Sequence, residues 1–232
     1  MTGAGAKEKI WVKIPVFPAS PFLQPTSWSI VWEREITMAQ QATQKKIIAT
    51  AERLILRRGY DGTSLNDVVS AAGVSKGAFF HYFPSKQAVS RNVLEKYAKE
   101  QIFAPLEKNM SRAPNVKQGL LDWLQETYNA YAQWKFAGGC LLGNFALELS
   151  DRDEEMREQL KGIFLQWENQ LAGYLKPLAT DGKMKMEPRQ FARLLISAYQ
   201  GATMTAKVHK DNNRASREFQ AIGQLIESVI VN

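Results

Sequence analysis

Residues 63–86 read TSLNDVVSAAGVSKGAFFHYFPSK. The Thr63 hydroxyl can cap a short helix, Val68, Val69 and Ala72 give that helix one apolar side, and Gly73 lets the backbone leave it in a left-handed conformation. The first helix is therefore predicted to stop at Ala72. Ser75 is free to cap a second helix, in which Phe79 and Phe83 fall four apart on an inward face while Lys76, Ala78, His81 and Tyr82 look elsewhere. Pro84 ends it. Two short helices joined by a turn built on one glycine have the form of a helix-turn-helix, whose second helix lies in the major groove of DNA.

Upstream, Ile47, Ile48, Ala51, Leu54 and Ile55 recur at helical spacing between Gln40 and Arg58, and Gly59 stops that helix. It can bury Leu65, Val74, Phe79 and Phe83, which makes a three-helix module. Downstream, Ser85 caps a long helix through Val89, Val93, Tyr97 and Ile102, with a kink or break expected near Pro105. The remainder keeps the helical period. Leu120, Leu124, Tyr128 and Tyr131 mark Val116–Trp134; Gly138 and Gly139 interrupt it; Cys140–Leu149 is short. Ser150 with Asp153 resembles a capping box ahead of a regular helix carrying Met156, Leu160, Ile163, Trp167 and Leu171. Two more helices close the chain, one opened by Pro188 and one carrying Phe219, Ile222, Ile226 and Val229. No segment of any length has strand period, so the fold class is all-α: an N-terminal helix-turn-helix module joined by a long helix to a C-terminal helical domain. The expected boundaries are 38–92 for the module and 93–232 for the body.

The N-terminal 37 residues differ from both. Pro15, Pro18, Pro21 and Pro25 interrupt an aromatic-rich segment, so it carries neither a useful helix nor an unbroken secretion-signal core. Residues 1–37 are read as a disordered or non-native extension, with translation beginning at Met38. The competing reading is an arm that seeks DNA through Lys7, Lys9, Lys13 and Arg34.

The chain of 232 residues, 45% of them hydrophobic, can fill a globular core. Its formal charge of +7 is unevenly placed, with 8 basic and 3 acidic side chains in 38–92 against 18 and 17 in 93–232. Most of the excess thus sits on the helix-turn-helix segment, as a surface meeting phosphates requires. One cysteine excludes an intramolecular disulfide, and no run of about 18 apolar residues exists to span a membrane. A cytoplasmic location is expected.

The order T-S, V-x-x-A-A-G-V-S-K-G and F-F-H-Y-F-x-S-K, following a helix that ends in Arg58-Gly59-Tyr60, resembles the DNA-binding signature of the tetracycline-repressor family of transcription regulators. The resemblance covers Gln44 to Leu94. It implies a homodimer paired through the last two helices, in which Gly201 and Ala202 permit close approach, and two recognition helices roughly 34–36 Å apart on a palindromic double-stranded DNA operator. It places groove contacts at Gly77, Ala78, His81 and Tyr82. By side-chain type, Lys76 and Lys86 are expected on phosphates, and Thr63, Ser64 and Ser75 supply hydroxyl and helix-terminus contacts. The run CLLGNFALELSDRDEEMR also looks like the matching helix of electrophile-sensing members of the family.

No catalytic or metal site emerges. Gly73-Val74-Ser75-Lys76-Gly77 matches the nucleophile-elbow pattern G-x-S-x-G, but that motif needs a strand before the serine and a helix precedes it here. No phosphate or dinucleotide loop is present, and two His and one Cys are too few for a zinc site, so neither a cofactor nor an enzymatic activity is expected. Cys140 is read in two ways. A first-turn position with Lys135 upstream would favour a reactive thiolate, whereas a lone cysteine is ordinarily a small buried hydrophobe. Trp123, Tyr128, Tyr131, Cys140, Asn144, Phe164 and Trp167, with Glu148, are the candidates for binding a small-molecule or thiol-reactive inducer, the Ser85 helix being the expected transmitter. The alternative function is a helical interaction or adaptor protein without sequence-specific DNA binding.

Overall fold

The computed structural model describes the backbone of residues 27–231 and the side chains of residues 38–231. The chain divides after Ala42, and the packing described here lies in Thr43–Asn232. Among the described residues there are ten α-helices, one π-helical segment and no strand. α1 (Ser27–Arg58) buries Ile47, Ala51, Leu54 and Ile55 and stops at Gly59, whose φ is +79°. It begins well before the expected Gln40. The four prolines that argued against helix all precede Ser27, so none falls inside it. Ser27–Thr37 are thus helical rather than part of a disordered extension; the readings for residues 1–26 lie outside the described residues.

α2 (Leu65–Ala72), α3 (Lys76–Tyr82) and α4 (Lys86–Tyr97) follow as the caps dictate. Ser64 caps α2, not Thr63: its hydroxyl accepts from the Asp67 amide while the Asp67 carboxylate accepts from the Ser64 amide. Phe83 takes an extended conformation ahead of Pro84, because the proline ring disfavours helical backbone at the preceding residue. The long helix expected from Ser85 is three pieces: α4, a π-helical turn over Ala98–Phe103, and α5 (Ala104–Arg112). Pro105 sits in the first turn of α5, where its missing N–H costs little, and the widened turn before it absorbs the ring.

The body continues with α6 (Val116–Gln133), α7 (Leu141–Leu149), α8 (Glu154–Thr180), α9 (Pro188–His209) and α10 (Asn212–Val229). Asp153, not Ser150, caps α8; Ser150 is still in helical conformation at the end of α7. The α6–α7 connection is tight, with four left-handed residues: Lys135, Phe136, Gly138 and Gly139. Burial of Phe136 with Ala206 and Ala215 holds the non-glycine pair in that conformation, which costs such residues about 1 kcal/mol each. One continuous apolar core runs from Ile47 to Ile230. Tyr199 and Ile230 of the closing helices belong to it. The chain end is fixed by a short antiparallel bridge: the Lys185 amide donates to the Val229 carbonyl at 2.9 Å and the Val231 amide to the Lys183 carbonyl at 3.0 Å.

Candidate nucleic-acid interface

The turn between α2 and α3 closes with two backbone bonds, Gly73 amide to Ser70 carbonyl and Val74 amide to Val69 carbonyl, with Gly73 at φ 62°. That geometry frees Ser75 to cap α3 through the Ala78 amide at 3.0 Å. Phe79 and Phe83 are buried, their ring centroids 5.8 Å apart, and fix α3 against the module. Lys76, Gly77, Phe80 and His81 then form one exposed face, because they sit at i, i+1, i+4 and i+5. Beside Gly77 only the Ser75 hydroxyl comes near where a Cβ would stand, so another backbone can approach there. Ser64 and Ser75 are exposed, Ala78 half-buried, and Tyr82 half-buried with its ring edge-on to His81 at 4.9 Å. Lys46 of α1 reaches the same turn, its Nζ 3.8 Å from the position of a Gly73 Cβ.

Two expected DNA contacts are placed elsewhere. Thr63 is fully buried and its hydroxyl donates to the Gly59 carbonyl at 2.9 Å, so it braces the end of α1 and cannot reach a phosphate. Lys86 donates from Nζ to the Tyr60 carbonyl at 2.7 Å and lies over the Tyr60 ring at 3.7 Å. Burial lowers its pKa, against the opposing pull of Asp61 and Glu148. Its charge is engaged inside the module. Phe80, 51% exposed on the recognition helix, is the surface residue that the sequence reading passed over. The spacing that sent Phe79 and Phe83 inward also turns Phe80 outward.

In the body, Trp123, Trp167 and Tyr199 form a packed aromatic trio, with centroids 5.3–6.3 Å apart, and Phe164 stacks on Trp167. The Tyr131 and Tyr199 hydroxyls are 3.1 Å apart, and the Tyr97 hydroxyl reaches both Tyr131 and the Cys140 thiol. The indole N–H of Trp167 is buried with no protein acceptor. Tyr128 is not part of this group: it packs on Phe136 and Phe219, bonds Asn212, and lines an open groove of about 460 Å³ between α6 and α10. Asn144 braces the connection before α7, donating to the Gly138 carbonyl and accepting from Lys207. Glu148 is also taken, by the Asp61 amide at 3.1 Å. Cys140 is buried at the N-cap of α7, its sulfur accepting from Gln200 at 3.4 Å. Burial pushes the thiol above its ordinary range, outweighing the α7 amides and Gln200 that favour thiolate.

A capped, glycine-turned helix pair with a polar and aromatic outer face, carried on an all-helical body, defines a DNA-binding regulator. Residues 47–92 match the family described as bacterial regulatory proteins, tetR family, and residues 117–222 match the tetracyclin repressor-like C-terminal domain. An HTH-type transcriptional regulator of Lactococcus lactis is 32% identical over 191 residues, spanning 81% of this chain and 94% of its own. The HTH-type transcriptional repressor NemR of Escherichia coli is 30% identical, spanning 72% of this chain and 85% of its own. The crystal structure of reduced E. coli NemR superimposes with a TM-score of 0.72 over 82% of this chain and 97% of that one. The chain belongs to the tetR family of bacterial regulatory proteins and is a DNA-binding transcriptional regulator rather than an enzyme. No helix among the described residues is long and apolar enough to cross a membrane.

Proposed function

We propose that the chain acts as a homodimeric repressor, in which residues 38–92 bind one half of a palindromic operator and residues 93–232 pair the subunits and receive an inducer. The observation that carries the dimer is an outward stripe on α9. Leu194, Met204 and Val208 are 39%, 53% and 72% exposed, and Ala198 and Gly201 lie between them at helical spacing. A ridge of large apolar side chains around small ones suits close packing against its own symmetry mate. Operator contact falls to Ser64, Ser75, Lys76, Gly77, Phe80 and His81, with Ala78 and Tyr82 at the margin. Lys76 serves phosphate and the rest of the helix meets base edges.

The inducer is a small molecule that enters among Trp123, Tyr131, Phe164 and Trp167, or a thiol-reactive one that reaches Cys140 there. Support comes from the unpaired Trp167 N–H, a donor awaiting an acceptor, and from a thiol within the same hydrogen-bonded group as Tyr97 and Gln200. Induction favours the body conformation that misplaces the recognition helices. Sedimentation of the full chain, with and without a palindromic duplex selected from random DNA, tests the reading. Two chains per duplex are expected, and a single chain bound with full affinity would defeat it. Replacing Cys140 with Ser separates the inducer routes: N-ethylmaleimide releases DNA from the wild type and not from the variant if the thiol is the receiver.

A further inference from the structure

The turn between α1 and α2 is gripped by α7 and the residues on either side of it. Gly59 has φ +79° and no side chain, and the space its Cβ would take is filled by the Glu148 carboxylate, 2.9 Å away. The reciprocal arrangement occurs at the other end. A Cβ on Gly138 would lie 2.7 Å from Leu56 Cγ, so the glycine before α7 receives a leucine from α1 just as the glycine after α1 receives a glutamate from α7. Between them the Tyr60 and Phe145 rings pack at 5.9 Å. Glu148 accepts from the Asp61 amide at 3.1 Å, and Arg152 pairs with the Asp61 carboxylate at 2.5 Å.

The contacts are unequal. The Arg152–Asp61 pair is at least half exposed on both sides and contributes little by itself. The Glu148 bond is charge-assisted, and the two glycine sockets are steric, so they decide the register. The same turn carries Tyr60, whose carbonyl and ring hold Lys86 at the start of α4. A single grip therefore sets the module's first helix, its turn and the head of α4 at once.

The geometry points to Glu148 as a positioning residue for DNA binding: it touches no DNA, and it fixes the angle at which each helix-turn-helix leaves the body. This rests on the two-fold reading given above. In a dimer, that angle sets the separation of the two recognition helices, which matters for a palindrome and not for one half-site.

The test measures fluorescence anisotropy of the full-length protein on the selected palindrome and on a duplex carrying one half-site. Glu148→Ala weakens palindrome binding about tenfold, the scale of one charge-assisted hydrogen bond, and leaves half-site binding within about twofold. Glu148→Gln, which keeps an acceptor for the Asp61 amide, recovers most of the loss. Unchanged half-site affinity in the same sample also reports a folded module. Equal losses on both duplexes, or no loss on the palindrome, overturn the proposal. A wild type that binds both duplexes equally overturns the two-fold reading itself, and does so before any variant is made.

Discussion

Phe80 is the exposed apolar ring of the proposed interface. Its exposed ring can make no hydrogen bond, so in a groove it is matched to the methyl group of thymine. Phe80→Ala is expected to cost about 1–2 kcal/mol of operator affinity, and replacing thymine by uracil at the contacted position removes that cost; binding isotherms for the four combinations check it. Lys76→Ala weakens all duplexes alike and lowers the slope of log affinity against log salt by about 1, whereas Lys86→Met leaves that slope alone because Tyr60 already holds the ammonium. The difference between these lysines was not legible in the sequence. Both follow helix caps, and only the fold brings a carbonyl 26 positions away onto Lys86. Thr63 was hidden for a similar reason, since either Thr63 or Ser64 could cap α2 by type and only Ser64 faces the Asp67 amide.

Cys140 carries a pH signature. Its folded thiol binds the proton more tightly than the unfolded one, so its contribution to stability is complete below the unfolded pKa and lost as pH rises through the folded value. Urea titrations of wild type and Cys140→Ser should therefore differ by a constant amount at neutral pH and converge toward or cross one another on the alkaline side. A gap that widens with pH would contradict the burial.

Among the elements, helix existence was legible nearly everywhere because the 3.6-residue period and the caps are local signals. The failures have non-local or backbone causes. α1 extends back to Ser27 because prolines stop mattering once they lie outside the helix, and the π turn at Ala98–Phe103 answers a proline two positions downstream of its end. The aromatic face of the body was legible as composition, but its division was not: Trp123, Phe164 and Trp167 pack ring on ring and Tyr131 meets Tyr199, while Tyr128 lines the α6–α10 groove. For α9 the outward stripe gives a sharp expectation. Met204→Arg places a charge in the middle of the ridge and should shift the sedimentation coefficient to that of a monomer without lowering the helical circular dichroism signal, since Met204 is already exposed in one chain.

For the molecule as a whole, charge and core have separate owners. The basic excess lies in 38–92, the part that meets DNA under the proposed function, and the apolar core runs without a break from Ile47 to Ile230. The chain's last residues complete that core. Ending the protein four residues early would remove Val229 and Ile230 from the interior and leave the Lys183 carbonyl and Lys185 amide without their partners. Two backbone bonds at about 1 kcal/mol each and two buried side chains at about 1.5–3 kcal/mol each amount to a melting temperature lower by roughly 10–30 °C. For anyone altering the protein, residues 229–231 are a seam rather than a loose thread, and a graft or truncation at that point has to leave the stitch closed.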